Sequence, residues 1–180
     1  GGLLDIRENS LREHMGNFES LVWGIINVVN DLHRQGMDLY GFRGNDFFEG
    51  EFLETLQVNP DIISDVGKIA ASALPPGWSG TESTPNPGDG SNALRIAQVR
   101  SASVVVAGGL DLKNRLRLPG PDEEGVTTFE DYYKDNIARL GVDVQESSRA
   151  RENQVTLLDV MNKRRDSISG VSLDEELANM

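Results

Sequence analysis

The chain has 180 residues, 38% apolar and 6% aromatic, enough for one domain, or one with a modest insertion, around an aliphatic core spread along helices. Its net charge of −12 opposes nonspecific contact with nucleic acid or an anionic membrane surface, and no apolar run nears the roughly 20 residues that cross a bilayer. With no cysteine, disulfides, thiolate metal sites and cysteine nucleophiles are excluded together.

The opening Gly1-Gly2-Leu3-Leu4-Asp5 lacks the basic and then apolar order of a cleaved signal peptide. A heptad pattern takes over at once. Leu4, Leu11, Phe18, Ile25 and Leu32 recur every seven residues, and Met15, Val22 and Val29 fall four after Leu11, Phe18 and Ile25. This a/d spacing, broken only where Glu8 takes a d position, predicts a helix over residues 5–35, roughly 45 Å long at 1.5 Å per residue. Leu21, Ile26 and Val28 widen the stripe, so the helix faces more than one partner. Ser10-Leu11-Arg12-Glu13 reads as a capping box and an alternative start, but Leu4 is in phase with the later heptads and favours continuity. Gly36 supplies the stop, after His33 and Arg34 in the last turn.

The middle of the chain differs in kind. Residues 37–50 hold glycines and the aromatics Tyr40, Phe42, Phe47 and Phe48, which predicts a compact loop. Residues 52–58 alternate weakly as a short strand, and Asn59-Pro60 suits an N-cap followed by proline at the first helical position. Residues 74–90, rich in proline, glycine and serine, form an irregular loop. Ser91 caps a short helix carrying Leu94, Ile96 and Val99; residues 103–107 are extended, and 108–125 again loop-like.

A second long helix starts at Thr128, whose hydroxyl caps the amides near Asp131. Phe129, Tyr133, Ile137, Leu140 and Val144 form its stripe, which Val155, Leu158 and Met161 resume after the polar Ser147, Ser148 and Arg151. It ends near Ser169 and Gly170. Ser172-Leu173-Asp174-Glu175 then opens another capping box, whose helix runs out at Leu177 and Met180.

Little in this inventory serves catalysis. His14 and His33 are about 28 Å apart along one helix and share no metal there; the expected places are the surface for His14 and the helix end for His33. Asp174-Glu175-Glu176 suits the positive end of a helix dipole better than acid–base work. Residues 38–51 lack alternating oxygen ligands for calcium, with Leu39 and Arg43 in their way. Residues 77–83 lack the lysine of a phosphate loop, and no serine sits in a nucleophile elbow. Trp23 and Trp78 fit packing better than base stacking on so acidic a chain. The prediction is a non-enzymatic protein without metal or cofactor.

Several ordered segments resemble one family. Ser167-Ile168-Ser169-Gly170-Val171-Ser172-Leu173-Asp174-Glu175-Glu176 resembles the signature near the C-terminus of flagellar rod, hook and hook-associated proteins, carried here by Ser169, Gly170, Val171, Leu173, Asp174, Glu175 and Glu176. The segment 1–7, the run from Val29 through Gly41, Asn45-Asp46-Phe47-Phe48, Lys68-Ile69-Ala70-Ala71-Ser72, Gly90-Ser91-Asn92-Ala93-Leu94 and Thr128-Phe129-Glu130-Asp131-Tyr132-Tyr133 resemble hook-associated protein 1, in that family's order.

The resemblance implies a mainly α fold: two long antiparallel helices of an incomplete bundle, from residues 1–36 and 126–180, with a small loop-rich α+β cap at 37–125. It implies a subunit of the hook–filament junction, exported by the flagellar type III apparatus to the extracellular flagellum. Its partners would be copies of itself in a ring, the hook protein, and a second junction protein or the flagellin side of the filament, with neither nucleic acid nor membrane. Relative to the family the chain lacks the N-terminal half and the last C-terminal helix, and with them the expected segment for the export chaperone. It also lacks a β-rich insertion after Asp46-Phe47-Phe48 and has a longer stretch between Val99 and Thr128. The expected subunit contacts are Leu4, Leu11, Met15, Phe18, Val22, Ile25, Val29, Leu32, Phe129, Tyr133, Ile137, Leu140, Val144, Val155 and Leu158. Part of each stripe should lie uncovered. The competing reading is a free-standing helical adaptor or scaffold of a secretion system.

Overall fold

The computed structural model describes residues 2–78, 80, 84, 86–109 and 112–178, and side chains over 9–78, 80, 84, 86–106 and 115–167. Helix α1, Gly2–Arg34, is unbroken, so the internal capping box is not used as a start. Ser10 sits in mid-helix, with its hydroxyl turned to Asp143. The helix ends where predicted, by a different device. Gly36 is not left-handed; it opens strand β1 (Gly36–Met37), which pairs antiparallel with β4 (Ser72–Ala73). Glycine is needed for close approach: a Cβ there would lie 2.2 Å from Asn92 Nδ2 and 2.5 Å from the Ala70 carbonyl.

Within the predicted strand over 52–58, only Gln57–Val58 is extended (β3), pairing with β2 at Phe48–Glu49. Between them Thr55 Oγ1 accepts from the Phe52 amide and closes a turn. Asn59 caps α2 (Pro60–Ser64) as expected, its Oδ1 accepting from the Asp61 amide at 2.9 Å. The helix at Ser91 is also present, as α3 (Ser91–Ala97), but its cap is not Ser91. Asp89 takes that part, accepting from the Ser91 amide at 2.9 Å and the Ala73 amide at 3.1 Å, so it ties β4 to the start of α3. Contacts with Ser91 hold the Asp89 carboxyl below its ordinary range.

Residues 108–125 hold the largest departure from the expected loop. Strand β5 (Ser103–Gly109) is extended as predicted, and β6 (Leu112–Arg117) returns antiparallel to it, with Val106 opposite Leu116. A short β7 (Thr127–Thr128) pairs with the other edge of β5, giving the order β6-β5-β7. Among the six residues of β6 only Leu112 and Leu116 are apolar, too weak a pattern to announce a strand. Arg117 then forms a bidentate pair with Glu123, at 2.5 and 2.7 Å, which holds the Glu123 carboxyl down to about 2 and folds back the approach to the last helix.

Helix α4 (Phe129–Ala178) starts where expected, with the Asp131 amide donating to Thr128 Oγ1 at 3.0 Å. It does not stop near Gly170. Backbone helix continues through Ser147, Ser148, Arg151 and Gly170, so the predicted separate last helix is the end of α4. A glycine in a helix interior costs only about 1 kcal/mol against alanine, too little to force a break.

The core explains why α1 is apolar on several sides. Leu21, Val28, Val29 and Leu32 pack on Val99, Val104, Leu116 and Phe129, so the sheet and the root of α4 cover the C-terminal half of α1. The two long helices run antiparallel, Asn17 meeting Tyr132 and His14 meeting Asp143. They do not pair over a comparable length, since β6 occupies the second half of α1. Gly24 makes this crossing possible: a Cβ there would stand 2.7 Å from the Leu116 carbonyl oxygen and 2.9 Å from a ring carbon of Phe129. Gly24→Val should therefore push the sheet off the helix, at a cost of about 1–3 kcal/mol read as a lower urea midpoint. At Gly16, where a Cβ meets nothing within 4 Å, alanine should be tolerated.

Candidate assembly interface

The line where α1 meets α4 is polar. Ser10, His14 and Asn17 face Tyr132, Asn136 and Asp143. The Ser10 hydroxyl donates to Asp143 Oδ2, and His14 Nε2 lies 2.9 Å from the same oxygen. These contacts, Ser10 first, hold the Asp143 carboxyl below its ordinary range. His14, expected at the surface, is buried by this packing. Serine, histidine and aspartate meet here in an order that cannot activate a nucleophile. The hydroxyl bonds the carboxylate rather than the imidazole, and His14 Nδ1 has no hydrogen-bond partner.

The expected apolar stripes lie one residue off this line on each helix. One residue turns a helix by about 100°, so Leu11, Met15 and Phe18 sit to one side of Ser10, His14 and Asn17. Tyr133, Ile137 and Val144 are likewise displaced from Tyr132, Asn136 and Asp143. Because the helices are antiparallel, both displacements fall on the same flank. The Phe18 and Tyr133 rings meet there edge to face, with centroids 6.4 Å apart. The stripes do not zip α1 to α4; they join into one two-helix surface. Leu11 is 58% exposed, Met15 53%, Ile137 43% and Val144 60%, while Val22 and Leu140 are half-buried along it.

The other predicted contact residues separate into three groups. Ile25, Val29, Leu32 and Phe129 belong to the core or pack against it. Val155 and Leu158 lie beyond the start of α1, where residues 151–167 of α4 are exposed without exception. Leu157, Val160 and Met161 are exposed there too, and with Val155 and Leu158 they span an arc of about 220° at 100° per residue. So wide an arc needs cover on more than one side. The Leu4 side chain and those of the signature Ser169, Gly170, Val171, Leu173, Asp174, Glu175 and Glu176 fall outside the described residues, although their backbone is helical.

Asn30, His33 and Asn92 were not singled out as a group by pattern reasoning. Asn30 Oδ1 accepts from the Phe47 and Phe48 amides at 3.0 and 2.8 Å, and its Nδ2 donates to the Phe48 carbonyl at 2.9 Å. Asn92 Nδ2 donates to the Leu32 and Ala70 carbonyls at 3.0 and 2.8 Å. The available signal was Asn30 and His33, one turn apart at the end of an apolar helix. Among the described residues, no helix is long and apolar enough to cross a membrane, and no group of three or more acids or histidines is placed to hold a metal.

Residues 1–48 match the family described as the flagellar hook-associated protein FlgK helical domain. Flagellar hook-associated protein 1 of Bacillus subtilis (strain 168) is 27% identical over 177 residues, covering 93% of this chain. Both likenesses are to flagellar hook-associated proteins. The chain spans 30% of the length of that Bacillus relative. No solved structure matches it. The match to the helical-domain family covers α1, β1 and the loop clasped by Asn30 and His33.

Proposed function

We propose that this chain is a structural section of the bacterial flagellum, within a subunit of the hook–filament junction. The supporting observation is the shared apolar flank of α1 and α4, prolonged by the wide apolar arc of residues 151–167. Burying a large apolar side chain is worth about 1.5–3 kcal/mol, so eight such residues along the flank are a strong drive to associate even after the costs of association. Left bare, they would be a liability for aggregation. Helices of neighbouring subunits are the natural cover, as copies around a ring and as hook protein or a second junction protein above and below. Export through the flagellar type III apparatus, with a dedicated chaperone, belongs to the same reading. So does the absence of a catalytic step, since the work is done by packing.

Deleting the gene tests this directly. The expected cells carry intact hooks with no attached filament. Normal filaments would sink the junction role and favour a helical adaptor instead.

A further inference from the structure

His33 is fully buried at the last turn of α1, and both ring nitrogens are committed. Nδ1 donates to the Asn45 carbonyl, and Nε2 accepts the Ala70 amide at 2.9 Å. One neutral imidazole tautomer thus joins three separate segments: the end of α1, the loop at 41–48 and the strand approach at 69–72. Only that tautomer fits. A second proton would sit on Nε2 and point at the Ala70 N–H, donor against donor. The Phe47 ring stands edge-on at 5.4 Å and keeps water away.

We propose that His33 is a pH-operated latch, whose protonation releases the 69–73 segment and the loop at 41–48 from α1 while the core under the β5–β6 sheet stays folded. The charged groups around it come from each packed element. Asp38 and Asp46, on the following loop, favour the imidazolium, but each is already engaged: Asp38 by the Tyr40 and Phe42 amides, Asp46 by Arg34. Arg43 of the same loop donates to the Arg34 carbonyl, Arg95 of α3 to Gln35 and Asn92, and Lys68 pairs with Asp61. Burial outweighs the Asn45 carbonyl hydrogen bond and the two acids and pulls the His33 imidazole below its ordinary value. The opened form therefore binds the proton more readily than the closed one. Opening is hardest above about pH 6.5, the free value, and becomes easier as pH falls below it toward the folded value.

The latch joins the elements that clasp the end of α1, so its state sets how firmly the 41–48 loop and β4 are held to that helix. Amide exchange of the whole chain at pH 7.5 and 5.5, corrected for intrinsic rates, tests the proposal. Protection at Ala70, Gly44 and Met37 should fall severalfold, up to about tenfold over this window, while Val104 and Leu116 keep theirs. His33→Gln, which retains one donor and one acceptor, should abolish that pH dependence. If the variant does not fold, NMR titration of His33 in the native chain decides. A midpoint below 6.5 accompanied by loss of the Ala70 hydrogen bond supports the latch. A midpoint at or above 6.5, or protection that ignores pH, overturns it.

Discussion

Leu116→Ala should cost about 2–5 kcal/mol. Leu116 is fully buried between the C-terminal half of α1 and Phe129, where β6 crosses at Gly24. The cavity cannot collapse by simple approach, because the β6 backbone already touches the helix. For a chain of this size each kcal/mol moves the melting temperature by about 2–4 °C, so a loss of roughly 5–15 °C is expected by differential scanning calorimetry. Leu157→Ala, on the exposed length of α4, should stay within about 0.5 kcal/mol. Equal effects at the two positions would mean that the sheet is not the cover of α1.

Asn92→Ala is expected to be nearly as severe for a different reason. Its amide satisfies two buried carbonyls, Leu32 at the end of α1 and Ala70 beside β4, and each one stranded costs about 1–3 kcal/mol. Asn92→Asp separates shape from hydrogen bonding, because it keeps the volume and removes both donors. It should be at least as destabilising as alanine, measured as the urea midpoint at constant m-value. A mild aspartate variant would show that the amide fills space and little more.

How much of this was legible in the sequence depends on how local the physics is. The long helices, the Asn59 and Thr128 caps and the extended 103–107 segment follow from residues within one turn of each other, and all are present. Strand β6 was hidden, because its formation depends on α1 and β5 rather than on its own alternation. Gly170 pointed to a stop that a modest propensity cost does not enforce. His14 was assigned to the surface because nothing in its neighbourhood announces Asp143, more than a hundred residues away. The heptads ask for neighbours, and part of each stripe lies exposed in the folded chain. Which neighbours was not legible, since a stripe's period is silent on which side of a helix pair it will lie.

Cysteine reactivity along the α1–α4 flank tests the central claim most directly, because the chain contains no cysteine and an introduced one is unique within it. Met15→Cys and Ile137→Cys should react readily with a maleimide in the isolated chain, where both positions are exposed. In assembled flagella carrying the same substitutions in the full-length subunit, both should be protected, and dissociating the flagella should restore labelling. Labelling as fast in intact flagella as in the isolated chain would contradict the assignment of this flank to assembly.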